Sequence, residues 1–170
     1  MNNKKSLVIY FSRADENYFG GLMKYIDKGN TEIIAEYIKD ITNADMFKVE
    51  PLVPYSKEYN ECINEANERT REHNAPIKEN LPDISPYEVI YIGSPIYWGG
   101  MPEELFTALN GADFIGKTIR PFVTHEGSGL SNVPSQLKEI CKGAIITDGI
   151  AITGSNARNS KQIIENWIMN

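Results

Sequence analysis

The chain has 170 residues, is 41% hydrophobic and 24% charged, and carries a formal net charge of −6. That length suits one domain around one core, and no apolar run is long enough to cross a bilayer. The acidic balance, with no basic stripe, argues against nucleic acid as a partner.

The start, Met1-Asn2-Asn3-Lys4-Lys5, runs directly into a strand, Lys5 to Phe11, too short for a signal-peptide core; no membrane insertion and a cytoplasmic location are expected. That strand (KSLVIYF) is apolar and β-branched, the composition of a strand buried on both faces. Thr31 to Ile41 sets Ile33, Ile34, Tyr37, Ile38 and Ile41 on one helical face, with Asn30 or Thr31 as its cap. Asp45 to Glu50 predicts a second strand stopped by Pro51. Lys57 to His73 predicts a helix with a thin apolar face of Tyr59, Cys62, Ile63 and Ala66, and Pro76, Pro82 and Pro86 mark the long connection after it. Tyr87 to Ile92 is the third strand. Pro102 to Leu109 is a helix with Pro in its first turn. Thr118 to Thr124 is the fourth strand, Ser131 to Cys141 a helix, Ala144 to Ile152 the fifth strand, and Ser160 to Met169 a closing helix. Cys62 and Cys141 have no CxxC partner and are expected to be buried, inert thiols.

Five strands alternating with helices imply an open, doubly wound parallel α/β sheet with helices on both faces, one domain over residues 1–170. Such sheets bind ligands beyond the carboxyl ends of their strands, where the strand order reverses. The loops after strands one, three and four are therefore the places to expect a site.

The third-strand loop is Gly93-Ser94-Pro95-Ile96-Tyr97-Trp98-Gly99-Gly100-Met101-Pro102. Tyr97 and Trp98 offer faces to a flat ring, and Gly99 and Gly100 let the backbone come close. The first loop begins Ser12-Arg13 and ends Gly29-Asn30-Thr31 at a helix start, where hydroxyls, an amide and free N–H groups suit a phosphate. The fourth-strand loop, Thr124-His125-Glu126-Gly127-Ser128-Gly129, offers N–H groups to the polar edge of a heterocycle. Each loop alone also has an ordinary explanation: a helix cap, aromatic packing, a polar turn. His125 is either a rim group or an exposed turn residue. Ser12 and Ser128 read as hydrogen-bond donors rather than nucleophiles, and no metal-ligand spacing is present. Together, in this order, the three loops describe a site for a mononucleotide with a flat, polar-edged ring.

In these residues the chain resembles the flavodoxins over nearly its whole length. The carriers are Ser6-Leu7-Val8-Ile9-Tyr10-Phe11-Ser12, Gly29-Asn30-Thr31, Gly93 to Gly99 and Thr124 to Gly129. The resemblance implies the sheet order 2-1-3-4-5 and FMN as cofactor. It implies cofactor contacts from Ser12, Arg13, Gly29, Asn30 and Thr31 at the phosphate. It implies others around the isoalloxazine from Ser94, Pro95, Ile96, Tyr97, Trp98, Gly99, Gly100, Thr124, His125, Glu126, Gly127, Ser128 and Gly129. Tyr97 or Trp98 would stack, Glu126 would add negative charge, and a carbonyl near Gly99–Gly100 would turn toward the flavin N5. The chain departs from the family in the fifteen residues, Ala14 to Lys28, that separate Arg13 from Gly29. This insert is expected to loop outward; its Tyr18, Phe19, Leu22, Met23 and Tyr25 either cover the flavin, meet a partner or pack on the domain's edge. No long insertion divides the fifth strand, as in the shorter flavodoxins.

The function this implies is low-potential electron transfer between redox proteins, a reductase and an acceptor. An FMN-dependent NAD(P)H:quinone-type oxidoreductase is the alternative, and a cofactor-free flavodoxin-like binding domain a further one. The lack of a second dinucleotide motif favours the carrier. Ser12-Arg13, where a receiver domain would want acids, disfavours the last.

Overall fold

Ser6–Tyr10 (β1) is buried at every residue because its alternating side chains enter two cores: Leu7 and Ile9 on one face, Val8 and Tyr10 on the other. The computed structural model describes residues 4–170. After β1 come Asp15–Phe19 (β2), Leu22–Ile26 (β3), Asn30–Thr42 (α1), Asp45–Lys48 (β4), Tyr59–Glu72 (α2) and Val89–Pro95 (β5). Then follow Glu103–Leu109 (α3), Thr118–His125 (β6), Val133–Ile140 (α4), Ile145–Ile146 (β7), Ile150–Thr153 (β8), a 3-10 turn over Gly154–Asn159, and Lys161–Met169 (α5).

The main sheet is parallel and runs β4-β1-β5-β6-β7, with β8 also paired to β6. This is the expected order 2-1-3-4-5, but the fifth position, expected as one strand, is two short ones. Ile145–Ile146 pair with Thr118–Ile119, and Ile150–Thr153 with Phe122–His125. The break faces Pro121, which has no N–H for a neighbour. There Gly149 passes so close that a Cβ would stand 2.9 Å from the Pro121 carbonyl oxygen.

Helices α1 and α5 cover one face through Ile34, Ile38 and Ile164; α3 and α4 cover the other through Leu105, Leu109 and Leu137. Helix α2 is fastened to α3 by Arg69, whose Nη1 lies 2.8 Å from Oε1 of the buried Glu104; Tyr55 donates to the other carboxylate oxygen at 3.0 Å. No helix among the described residues is long and apolar enough to cross a membrane.

The insert is not an outward loop. Strands β2 and β3 form an antiparallel hairpin turned by Gly20 and Gly21, both in the left-handed region at φ +66° and +86°. At its base the Glu16 N–H donates to the Lys57 carbonyl (3.2 Å), and Glu16 Oε1 accepts the Tyr59 N–H (3.0 Å). Near its tip, Phe19 lies 5.6 Å from the Arg158 guanidinium of the 3-10 turn. The ribbon thus bridges the start of α2 and that turn.

Candidate functional site

A cleft of about 650 Å³ opens at the carboxyl ends of the central strands, a size common for small-molecule sites. All three predicted loops reach it: Arg13 and Asn30 from the first, Pro95, Ile96, Tyr97 and Trp98 from the second, Thr124, His125, Glu126, Gly127 and Ser128 from the third. Ser12, Gly29, Thr31, Ser94, Gly99, Gly100 and Gly129 do not line it. Asn17 and Tyr18 of the hairpin, Tyr59, Cys62, Ile63 and Ala66 of α2, and Gly154 also line it; of these, sequence reasoning offered only Tyr18, as one of the insert residues that either cover a ligand, meet a partner or pack on the domain's edge. The signal for α2 was present: its thin apolar face at 59, 62, 63 and 66 is the side wall of the cleft as well as a packing surface.

One end is shaped by backbone. Tyr97 and Gly100 exchange two hydrogen bonds (2.8 and 3.2 Å) across Trp98-Gly99, both left-handed at φ +52° and +83°. A tryptophan is rarely held so, and the conformation costs about 1–2 kcal/mol for an L-residue. The turn sends adjacent aromatics into different surroundings. Tyr97 turns inward, edge-on to Phe11 and Tyr55 at centroid distances of 5.6 and 5.7 Å, and its hydroxyl oxygen accepts a hydrogen bond from the Cys62 thiol at 3.8 Å. Burial raises both the Tyr97 phenol and the Cys62 thiol, so both stay protonated and neutral. Trp98 stays 59% exposed, its indole N–H donating to the Ile63 carbonyl at 2.9 Å. Of the two aromatics, Trp98 keeps the open face. A Cβ on Gly100 would meet the Gln136 amide, whose oxygen accepts the Met101 N–H at 2.9 Å; this glycine serves the packing of α4.

The third loop is folded around His125. Its Nδ1 accepts the N–H groups of Gly127 (2.9 Å) and Gly129 (3.1 Å), which places the proton of the neutral ring on Nε2. The Thr124 hydroxyl meets the buried Thr31 hydroxyl at 2.7 Å, tying this loop to the start of α1.

The other end is the N-terminus of α1. The N-cap is Gly29, with no capping side chain of its own. Instead the Ser12 hydroxyl accepts the Glu32 N–H at 3.1 Å, so the loop after β1 caps the helix and neither Asn30 nor Thr31 does. A side chain at Gly29 would run into the Arg13 carbonyl, with a Cβ 2.8 Å from its oxygen, which is why this crossing needs glycine. The N–H groups of Asn30 and Thr31 have no acceptor among the described residues, leaving the positive end of the helix dipole open. Arg13 points elsewhere. Its guanidinium donates to the carbonyls of Glu16 (2.6 Å), Ser56 (2.7 and 3.3 Å) and Lys57 (3.0 Å), fastening the hairpin to the chain before α2.

The family model described as flavodoxin matches residues 21–170. Among solved structures, a candidate flavoprotein from Bacteroides eggerthii DSM 20697 is 25% identical, with a TM-score of 0.76 over 98% of this chain and 96% of its own. Another from Bacteroides uniformis ATCC 8492 is 23% identical, with a TM-score of 0.78 over 98% and 99%. A flavoprotein in complex with FMN from Lactobacillus acidophilus NCFM is 20% identical, with a TM-score of 0.62 over 92% and 97%. The last two likenesses speak for the fold alone. No curated relative matches the chain in sequence.

Proposed function

This chain belongs to the flavodoxin family, and we propose that it binds FMN in the cleft and carries electrons at low potential between redox proteins of the cytoplasm. The observation that carries this reading is that one cleft joins an open helix N-terminus to an exposed indole face. A phosphorylated flavin needs both, at opposite ends.

The residues present fit the group. Asn30 and Thr31 would offer their N–H groups, and Asn30 its amide, to the phosphate. Trp98 would stack on the ring, and the His125-braced loop would present its backbone to the ring's polar edge. FMN, when bound, supplies the one-electron chemistry; the protein binds it, orients it and sets its potential. Glu126 and the net charge of −6 disfavour adding electrons nearby, which supports a low potential. The open face of Trp98 at the cleft mouth is where a partner's redox centre would approach.

The test is an absorption spectrum of the purified protein titrated with FMN, followed by an anaerobic redox titration. Saturable uptake of FMN, two resolved one-electron steps and no sustained NAD(P)H oxidation are expected. Steady NAD(P)H oxidation with a quinone would make the protein an oxidoreductase instead. A chain that takes up no flavin would be a binding domain.

A further inference from the structure

Arg158 belongs to none of the three loops. It sits in the 3-10 turn Gly154–Asn159 after β8, far from them in sequence, yet its guanidinium reaches the start of α1. Nη1 donates to Asn30 Oδ1 at 2.9 Å and Nη2 to the Lys28 carbonyl at 3.0 Å. The turn is braced from both sides: Tyr37 donates its hydroxyl to the Arg158 carbonyl at 2.8 Å, and Phe19 of the hairpin lies against the guanidinium.

A guanidinium has donors and no acceptor, so the amide atom that meets it is the oxygen. That fixes which way Asn30 faces. Its NH2 points away from Arg158, toward Gly154, where a Cβ would stand 2.5 Å from Asn30 Nδ2 and 2.9 Å from Glu126 Oε1. The amide therefore fills space that only a glycine leaves. Asn30 lines the cleft, and its NH2 has no acceptor among the described residues. Both hydrogens on that nitrogen are therefore open to a ligand oxygen. Arg13, whose side chain does line the cleft, is spent on backbone carbonyls and cannot do this.

We propose that Arg158 is a positioning residue for anion recognition: by holding Asn30 Oδ1 it makes the amide present N–H rather than oxygen to the ligand's terminal phosphate, and so makes the site select the phosphorylated flavin over the free one. The proposal rests on the FMN reading. With Arg158 gone, the amide is free to flip and to set an oxygen lone pair against the anion.

The test measures Kd for FMN and for riboflavin by flavin fluorescence in the full chain and in Arg158→Gln, Arg158→Lys, Asn30→Ala and Arg158→Gln/Asn30→Ala. Arg158→Gln should weaken FMN about tenfold and leave riboflavin within about twofold, the size of one lost charge-linked hydrogen bond. Arg158→Lys, which keeps a donor for Asn30 Oδ1 and disturbs the turn least, should recover most of the selectivity. In the Asn30→Ala background Arg158→Gln should have no further effect on the FMN-to-riboflavin ratio. Equal loss of both flavins, or a loss that persists without the Asn30 amide, overturns the proposal. A full chain that binds neither flavin sinks the cofactor reading and this proposal with it. A full chain that prefers FMN, beside an Arg158→Gln variant with the same preference, sinks the proposal alone.

Discussion

At the indole end of the cleft, shape comes from backbone: a tight turn holds Trp98 left-handed, and two N–H groups converge on His125 Nδ1. At the α1 end, shape comes from side chains that cross between elements: the Ser12 hydroxyl on a helix N–H, Arg13 on three carbonyls, Arg158 on an amide and a carbonyl. The difference separates charge that is near a ligand from charge that acts on it. Arg13 follows the first strand directly, yet its donors are consumed in holding the hairpin. Arg158 is remote in sequence, yet it orients a group that faces the cleft.

If the α1 end depends on close crossings, the largest effect should come from filling one. Gly29→Ala places a Cβ against the Arg13 carbonyl, whose oxygen and carbon would lie 2.8 and 2.9 Å away. Backbone cannot step aside as a side chain can, so a loss of about 3 kcal/mol, the upper end for overpacking, is expected in urea unfolding. A variant as stable as the parent would mean that the crossing has slack, and would erase the contrast with the indole end. Arg13→Ala comes next. It leaves the Glu16, Ser56 and Lys57 carbonyls without their donor, and about 2 kcal/mol should be lost. The loss should be local: amide hydrogen exchange should quicken across residues 15–26 and stay unchanged in β5 and β6.

The indole end should behave in the opposite way. In Trp98→Gly the relief of the left-handed strain and the loss of the indole bond to the Ile63 carbonyl oppose each other. The stability of the apoprotein should therefore move by less than about 1 kcal/mol. Flavin affinity should nevertheless fall by about 1–2 kcal/mol, the scale of one aromatic stacking contact. A stability loss as large as that of Arg13→Ala would show that Trp98 is architecture too.

The sheet was legible because its buried strands are β-branched and apolar on both faces, and the three loops because each follows such a strand. What stayed hidden depended on pairing across sequence distance. Strand β8 was merged with β7 because the break lies opposite Pro121, in another strand. The hairpin carried a Gly-Gly turn signal, but the polar run Asp15-Glu16-Asn17 masked its first strand. Arg158 had no local signal at all: its meaning comes from Asn30, 128 positions away. Tyr97 and Trp98 were indistinguishable in sequence because only the sign of φ at Trp98 separates an inward ring from an open one.

The smallest effect is titration, and it too divides the cleft. Behind the indole end, burial raises the Cys62 thiol and the Tyr97 phenol, and on the far side of the same core it pushes Cys141 up to about 12 from an ordinary 9.0. A group whose native pKa is raised keeps its proton where the unfolded chain has released it. The native state then binds more protons, so stability falls as pH rises. This stabilisation is whole below about pH 9 and drains away above it, for Cys141 up to about pH 12. The unfolding free energy from urea titrations should be flat between about pH 6 and 8, then drop by about 1 kcal/mol between about pH 9 and 10, since a full proton of difference is worth about 1.4 kcal/mol per unit. Cys141→Ala should flatten part of that slope, and Cys62→Ser another part. An unchanged slope in both variants would mean that the thiols are wet in solution, and that the indole end is held less firmly from behind than its aromatic packing requires.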